Sequence, residues 1–287
     1  MWSRVPLTLG LARRTLGPMS RSTLAAEIFG LLGGLLASCA TAPDASPTPG
    51  PMELRVLSYN IHYGVGMDGA FDLPRIAAAI VAEAPDIVGL QEISDRAMAE
   101  ELGRLTGMTA LFGPSKGSDS AYGDAVLSRH PFTSAGNLSL PSASSSRYQA
   151  MAVDVDLSSI HGPGATVRFV NTHFDWTDSI GSQEARRAAV DVIERAFLDG
   201  HEGPALLAGD LNATPESDPL GDLAAAGWHV PAADGPLLTH GAPNPTRQID
   251  YVLVRPRGRW SVSDVRVLDE PVASDHYPIL LAVRPTR

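Results

Sequence analysis

Six short apolar runs in this chain end in an acid, an amide or a histidine, and that repetition narrows the fold more than any other feature. SYN closes at Asn60, LQE at Glu92 and NTH at His173. GDLNATP carries Asp210 and Asn212, QIDYV carries Asp250, and SDHYP carries Asp275 and His276. Taken singly, an Asp after a strand is a turn or cap residue, and the segment around Asn212 reads as an Asx turn. Asp250 resists that explanation. It lies inside an apolar run, and an uncompensated buried carboxylate costs on the order of several kcal/mol. Together, strand ends that deliver such groups to one edge of a sandwich build a carboxylate-rich cleft. Like charges that close need a cation, and a cysteine-free, oxygen-rich donor set suits Mg²⁺ or Mn²⁺.

The runs themselves read as strands. Glu53–Tyr59 alternates and is rich in β-formers, and strand-like segments follow at 87–90, 123–128, 150–157, 166–172, 204–208, 249–254, 261–268 and 278–283. Asp72 followed by Pro74 marks a helix start, with Ile76, Ile80 and Val81 as its apolar face. A second helix is expected at 95–105. A third spans Ser182–Asp199, with Ala185, Ala189, Val192, Ala196 and Phe197 on one stripe and Arg186, Arg187 and Glu194 off it. Strands alternate with helices early, while several later strands follow one another without a helix. That mixture points to an α/β sandwich with antiparallel sheets rather than a doubly wound parallel sheet.

The N-terminus reads as something other than domain. Ile28–Ala37 is an apolar stretch too short to span a bilayer, preceded by Arg13, Arg14 and Arg21 and followed by Leu36-Ala37-Ser38-Cys39. This resembles a bacterial lipoprotein signal, in which the cysteine is lipidated and becomes the first mature residue. The bland reading is a buried helix followed by an ordinary Cys. Met19 is an alternative start that gives a leader of normal length. Cys39 is the chain's only cysteine, so disulfides and cysteine metal sites are excluded. Residues 39–52 are rich in Pro and small residues, as expected of a flexible tether. No break in composition follows, and 53–287 reads as one domain. The expected organisation is a signal peptide at 1–38, a lipidated Cys and linker at 39–52, and the domain.

In that order and with that spacing, SYN, LQE, NTH, GDLNATP, QIDYV and SDHYP resemble the endonuclease/exonuclease/phosphatase superfamily of divalent-metal phosphoesterases, and the resemblance covers 53–287. It implies a four-layered α/β sandwich, two central and mainly antiparallel sheets flanked by helices, with the site at one edge between them. It also implies roles. Glu92 and Asn60 would ligate the metal, with Asp275 as a second metal contact. Asp210 would polarise or deprotonate the attacking water, and Asn212 would help hold the phosphoryl group or water. His276 would donate to a non-bridging oxygen, with Asp250 fixing its tautomer, and His173 would be a further phosphate donor. Related enzymes often place a phosphate-facing Arg where Arg147 stands; a surface Arg on the Ser-rich loop 141–148 is the equal alternative. Some relatives carry an acid two residues after the Asn, whereas this chain has His62. The stretch 60–69 looks more like bacterial hydrolases, and a eukaryotic branch linked to glycolipid-anchor remodelling, than like abasic-site nucleases. His130, His161, His201, His229 and His240 have no sequence neighbours that suggest chemistry. Trp176 and Tyr63 lie near motif residues, with core packing their default.

Charge separates the substrate classes. The chain has 22 Lys+Arg against 32 Asp+Glu, or −10. Removing 1–38, with its four Arg and one Glu, leaves 18 against 31, or −13. A body this acidic does not hold nucleic acid by bulk electrostatics. The expectation is therefore a membrane-tethered, monomeric phosphoesterase outside the cytoplasm. Its expected substrate is a small phosphodiester, a phospholipid head group or an inositol phosphate. A secreted nuclease is the alternative and needs a basic groove, for which Arg186, Arg187, Arg255, Arg257 and Arg259 are the scattered candidates. A catalytically dead binding lipoprotein would lack Glu92, Asp210 or His276, and all three are present.

Overall fold

The structure, a computed structural model, describes residues 52–115 and 122–286. The expected leader 1–38, Cys39 and nearly all of the 39–52 tether lie outside the described residues. Eleven strands follow in chain order: β1 Leu54–Asn60, β2 Ile87–Ile93, β3 Thr109–Pro114, β4 Gly123–Ser128, β5 Phe132–Ser139, β6 Gln149–Asp156, β7 Thr166–His173, β8 Ala205–Asp210, β9 Asp250–Arg255, β10 Trp260–Val267 and β11 Ile279–Pro285. The helices are α1 Leu73–Ala82, α2 Arg96–Thr106, α3 Ser158–His161, α4 Ile180–Ile193 and α5 Asp218–Ala225. One sheet runs β10-β11-β1-β2-β4-β3 and the other β5-β6-β7-β8-β9. Pairing is antiparallel throughout except for β1–β2 and β7–β8, one parallel pair near the middle of each sheet.

Three apolar layers hold the sandwich. Val56, Ile87, Val126, Phe169, Ala208 and Val252 pack between the two sheets. Leu57, Val88 and Leu90 meet Ile76 and Ile80 of α1 and Met98 and Leu102 of α2 on one outer face. Val170 and Leu207 meet Ala189, Val190 and Ile193 of α4 and Leu220 and Leu223 of α5 on the other. Each fully buried side chain of this size contributes about 1.5–3 kcal/mol, so three such layers fix the strand faces firmly. The four-layered arrangement is the one expected.

Local chemistry explains most element ends. Asp72 accepts from the Arg75 N–H at 3.0 Å and caps α1, whose Pro74 sits in the first turn. Asp95 caps α2 through the Met98 N–H at 2.8 Å, and Gly107 ends it in the left-handed region at φ 69°. Three expectations need correction. Val81 is 43% exposed, because only Leu73, Ile76, Ala77 and Ile80 of α1 reach the core. The third helix leaves α-geometry after Ile193 for a π-turn over Glu194–Leu198. That turn shifts the register, so Ala196 lies outside the core; upstream of it, Arg186 is buried although it was expected off the apolar stripe. Strands β3 and β5 were not anticipated. Both are edge strands, where one side is unpaired and the pattern of alternating burial is weak.

Candidate active site

Strand parity builds the site. Side chains alternate across a strand, so residues two apart share a face. In β1 the face of Leu54 and Val56 continues to Ser58 and Asn60; in β7 that of Val167 and Phe169 continues to Asn171 and His173. In β8 and β9, Asp210 and Asp250 share the faces of Ala208 and Val252. The inter-sheet core therefore becomes polar at one edge, where the parallel pairs present their carboxyl ends. Asn60 Nδ2 donates to Asp210 Oδ2 at 3.1 Å, joining the two sheets there. Glu92 arrives by a different route. The register of β2 shifts between Leu90 and Ile93, and Glu92 takes φ 61°. This break in the pleat brings its carboxylate within 3.3 Å of Asn60 Nδ2.

Asp210 is the centre of the cluster. Its Oδ1 accepts from the Asn212 N–H at 2.9 Å, and its Oδ2 lies 3.6 Å from both His173 Nε2 and His276 Nε2. Asn212, at φ 47°, donates from Nδ2 to Phe174 O at 3.0 Å and sits 3.2 Å from His173 Nε2. On the other side of the ring, His173 Nδ1 lies 3.4 Å from the Tyr122 hydroxyl. His276 Nδ1 donates to Asp250 Oδ2 at 2.8 Å. Burial alone would lower the His276 pKa, but the carboxylates of Asp250 and Asp210 outweigh it and push the imidazolium up to about 10. Burial also raises the Asp250 carboxyl, against the pull of the His276 charge. The loop is tied in by Ser274, which donates to Asn60 O at 2.7 Å and accepts from the His276 N–H at 3.1 Å.

These groups face a cleft of 960 Å³ lined by His62, Glu92, Arg147, His173, Asp210, Asn212, Asp275 and His276 among others. Asn60 and Asp250 stand directly behind its wall. Arg147 is exposed on the 141–148 loop and lines the cleft, a position compatible with both of its readings. Asp275 lies at the mouth, 4.0 Å from His62 Nδ1. A separate cavity of 410 Å³ beside His229, Asp234, Arg257 and Trp260 contains none of the strand-end groups.

Four residues were missed or misread. The His240 ring packs edge-on to His276 with centroids 4.7 Å apart, so it belongs to the cleft despite its unremarkable sequence neighbours. Trp176 and Tyr63 are not core residues; they line the cleft and are 62% and 42% exposed. Asp124, at the start of β4, shares the inter-sheet face of Val126 and is buried near His173 and Glu92. Burial pushes its carboxyl up to about 7, with the His173 charge pulling it back. Two-residue spacing from Val126 was the signal that could have found it.

The donor set fits a hard divalent cation. Ligand atoms of Asp210, Asp250 and His276 lie within 4.8 Å of one another, as do those of His240, Asp275 and His276. Glu92 has Asn60 as its side-chain hydrogen-bond partner and no ion pair among the described residues, leaving carboxylate charge to offset. Oxygen donors with imidazole and no thiolate exclude the soft-metal classes.

With this geometry in place, the likeness to known proteins is specific. The model of the Endonuclease/Exonuclease/phosphatase family matches residues 57–276, which include every polar strand-end residue from Asn60 to His276. The chain belongs to that family. Its members are hydrolases acting on phosphoesters. A family protein from Beutenbergia cavernae is 26% identical with a TM-score of 0.64, over 81% of this chain and 72% of that one. One from Bacteroides vulgatus is 20% identical with a TM-score of 0.68, over 82% and 100%. The mannosyl-6-phosphatase of Bacteroides thetaiotaomicron is 18% identical with a TM-score of 0.65, over 80% and 99%. No curated protein matches the chain.

Proposed function

We propose that this family member is a metal-dependent hydrolase of small phosphoesters, held outside the cytoplasm by a lipid on Cys39. One observation carries the hydrolytic reading. A buried carboxylate, Asp210, stands 3.6 Å from the Nε2 of an imidazolium that Asp250 keeps protonated. A proton acceptor and a cationic donor therefore face the same point. Asp210 orients the attacking water and takes its proton, with Asn60 and the Asn212 N–H holding the carboxylate in place. His276 Nε2–H donates to a non-bridging oxygen as charge builds there, and Asn212 and Arg147 hold the phosphoryl group. His173 stands beside Asn212 as a further partner for the phosphate. Mg²⁺ or Mn²⁺ held by Glu92 and Asn60, with Asp275 as a further carboxylate, would neutralise charge on the phosphoryl and leaving oxygens.

The substrate reading follows from size and charge. A phosphodiester, phospholipid head group or inositol phosphate suits a cleft rimmed by Tyr63, Tyr122, Tyr148 and Trp176. The neighbour named as a mannosyl-6-phosphatase keeps sugar monoesters within range. The nuclease alternative has less support because two of its five candidate arginines are committed elsewhere: Arg187 pairs with Asp222 and Arg255 with Glu194.

The test is release of p-nitrophenol from its bis-phosphodiester and its monoester by the chain from Glu53 onward. Turnover is expected with Mg²⁺ or Mn²⁺, and loss with chelator or with Asp210→Ala. Turnover that survives both treatments would sink the mechanism.

A further inference from the structure

The cleft does not end at Asn212. Behind that residue lies an alcove of 320 Å³ that shares Asp178, Asn212 and Arg247 with the main cleft and adds Arg186 on its inner wall. Two guanidinium groups therefore face one small space. Arg186 is only 6% exposed. Its Nη1 donates to Asp175 O at 2.7 Å and Thr177 O at 2.9 Å, while its Nε has no hydrogen-bond partner. Arg186 makes no ion pair within 4 Å among the described residues, although the Asp175 and Asp178 charges act on it from further away, and a buried guanidinium without a direct partner is costly. Arg247 makes no ion pair among the described residues, and its backbone is fixed by the His240 N–H donating to its carbonyl at 3.0 Å. That bridge ties the alcove to the reaction centre, because the His240 ring packs on His276.

We infer that the alcove is a second anion subsite, in which Arg247 and Arg186 take a phosphate or carboxylate borne by the alcohol part of the substrate. The inference rests on the phosphoester reading of the main cleft and narrows its substrate class to alcohols that already carry an anionic group. Arg fits such groups because its planar fork donates two parallel hydrogen bonds to a phosphate or carboxylate. The two cations also repel each other: burial lowers the Arg186 pKa first, the Asp175 and Asp178 charges pull part of it back, and the Arg247 charge lowers it again. An anion between them removes both penalties. The alcove also has carboxylates, Asp178, Glu216 and Asp218, but all three are exposed, and Asp218 lies 3.8 Å from Arg187. Solvent screens those charges more than it screens the buried Arg186.

Two measurements on the full-length protein in detergent test this. The first compares kcat/KM for glucose 6-phosphate and glucose 1,6-bisphosphate in wild type, Arg247→Met and Arg247→Lys. Wild type is expected to prefer the bisphosphate at least tenfold, chiefly through KM. Arg247→Met should bring that ratio close to one, and Arg247→Lys should restore part of it. The second titrates inorganic phosphate and malonate calorimetrically in the presence of chelator, which leaves the metal-dependent phosphate site empty. Binding that Arg247→Met weakens at least tenfold supports the subsite, and the better of the two ions identifies the group it takes. Hydrolysis with no Arg247-dependent preference and no Arg247-dependent binding overturns the subsite and spares the hydrolase. Arg247-dependent binding without hydrolysis of any ester does the reverse.

Discussion

At the scale of single residues, the site depends on two carboxyls whose environments oppose their ionisation. Asp250 is compensated by His276, and the pair acts as one unit. Asp250→Asn removes the charge that holds the imidazolium at about 10. The donor form of His276 is the protonated one, so activity falls as pH rises through its pKa. Wild type should keep its alkaline limb near pH 10, whereas Asp250→Asn should move it to neutral or below and lower kcat by about 10²–10⁴. A pH–rate profile whose alkaline limb stays put in the variant would remove His276 from the donor role. Asp124, whose Oδ2 has no hydrogen-bond partner, is the less compensated case, with its carboxyl raised to about 7 by burial. A raised pKa favours the protonated folded state. The stability it confers is complete below the unfolded value of about 3.9 and is lost as pH rises through about 7. Asp124→Asn keeps the shape without the ionisation. Relative to wild type, its melting temperature in chelator should rise by several degrees between pH 5 and pH 8.5. Parallel melting curves across that range would show that the carboxyl does not titrate there.

At the scale of elements, the parallel β7–β8 pair is closely packed right beside the site. A Cβ on Gly209 would meet Thr172 O at 2.0 Å, a backbone atom of the neighbouring strand β7. Gly209→Ala must therefore open the β7–β8 pair one residue from Asp210. We expect it to cost about 1–3 kcal/mol, read as a lower urea midpoint, and to reduce activity in the protein that remains folded. A variant as stable and active as wild type would mean that the two strands separate more easily than their register indicates. The same frame decides how much the sequence could reveal. The interior strands and their terminal acids were legible because they lie on faces buried in the core, where alternation is strongest. Edge strands β3 and β5 were not, since pairing rather than burial makes them strands. The role of Glu92 was legible only through the family motif, because its direction depends on a bulge that alternation cannot anticipate. His240 and Trp176 sit on loops, and nothing periodic indicates where a loop side chain ends up. Asp124 was legible in principle, two residues before a core valine, but it opens its strand directly after Gly123 and was passed over.

At the scale of the whole molecule, the question is what would keep an acidic protein at a membrane. Among the described residues no helix is long and apolar enough to cross a bilayer. With 18 cations against 31 carboxylates after residue 38, the body is repelled by anionic lipid rather than drawn to it. Surface charge therefore does not supply the proposed attachment, and in that proposal acyl chains on Cys39 do. The domain begins with β1, whose first residue, Leu54, lies at the opposite end of the strand from Asn60 and the cleft. The fourteen residues between Cys39 and β1 span at most about 50 Å when fully extended. The proposed anchor thus makes a prediction that separates it from adsorption. Wild-type protein expressed in a bacterial host should sediment with membranes, stay there through a high-salt wash and leave with detergent. Cys39→Ser should appear in the soluble fraction with kcat/KM on a water-soluble phosphoester within twofold of wild type, because the substitution lies outside the folded domain. Release of wild type by salt would place the attachment in surface charge, and membrane retention of Cys39→Ser would place it in an uncleaved apolar leader. Either result would move the anchor off Cys39 while leaving the chemistry of the cleft as described.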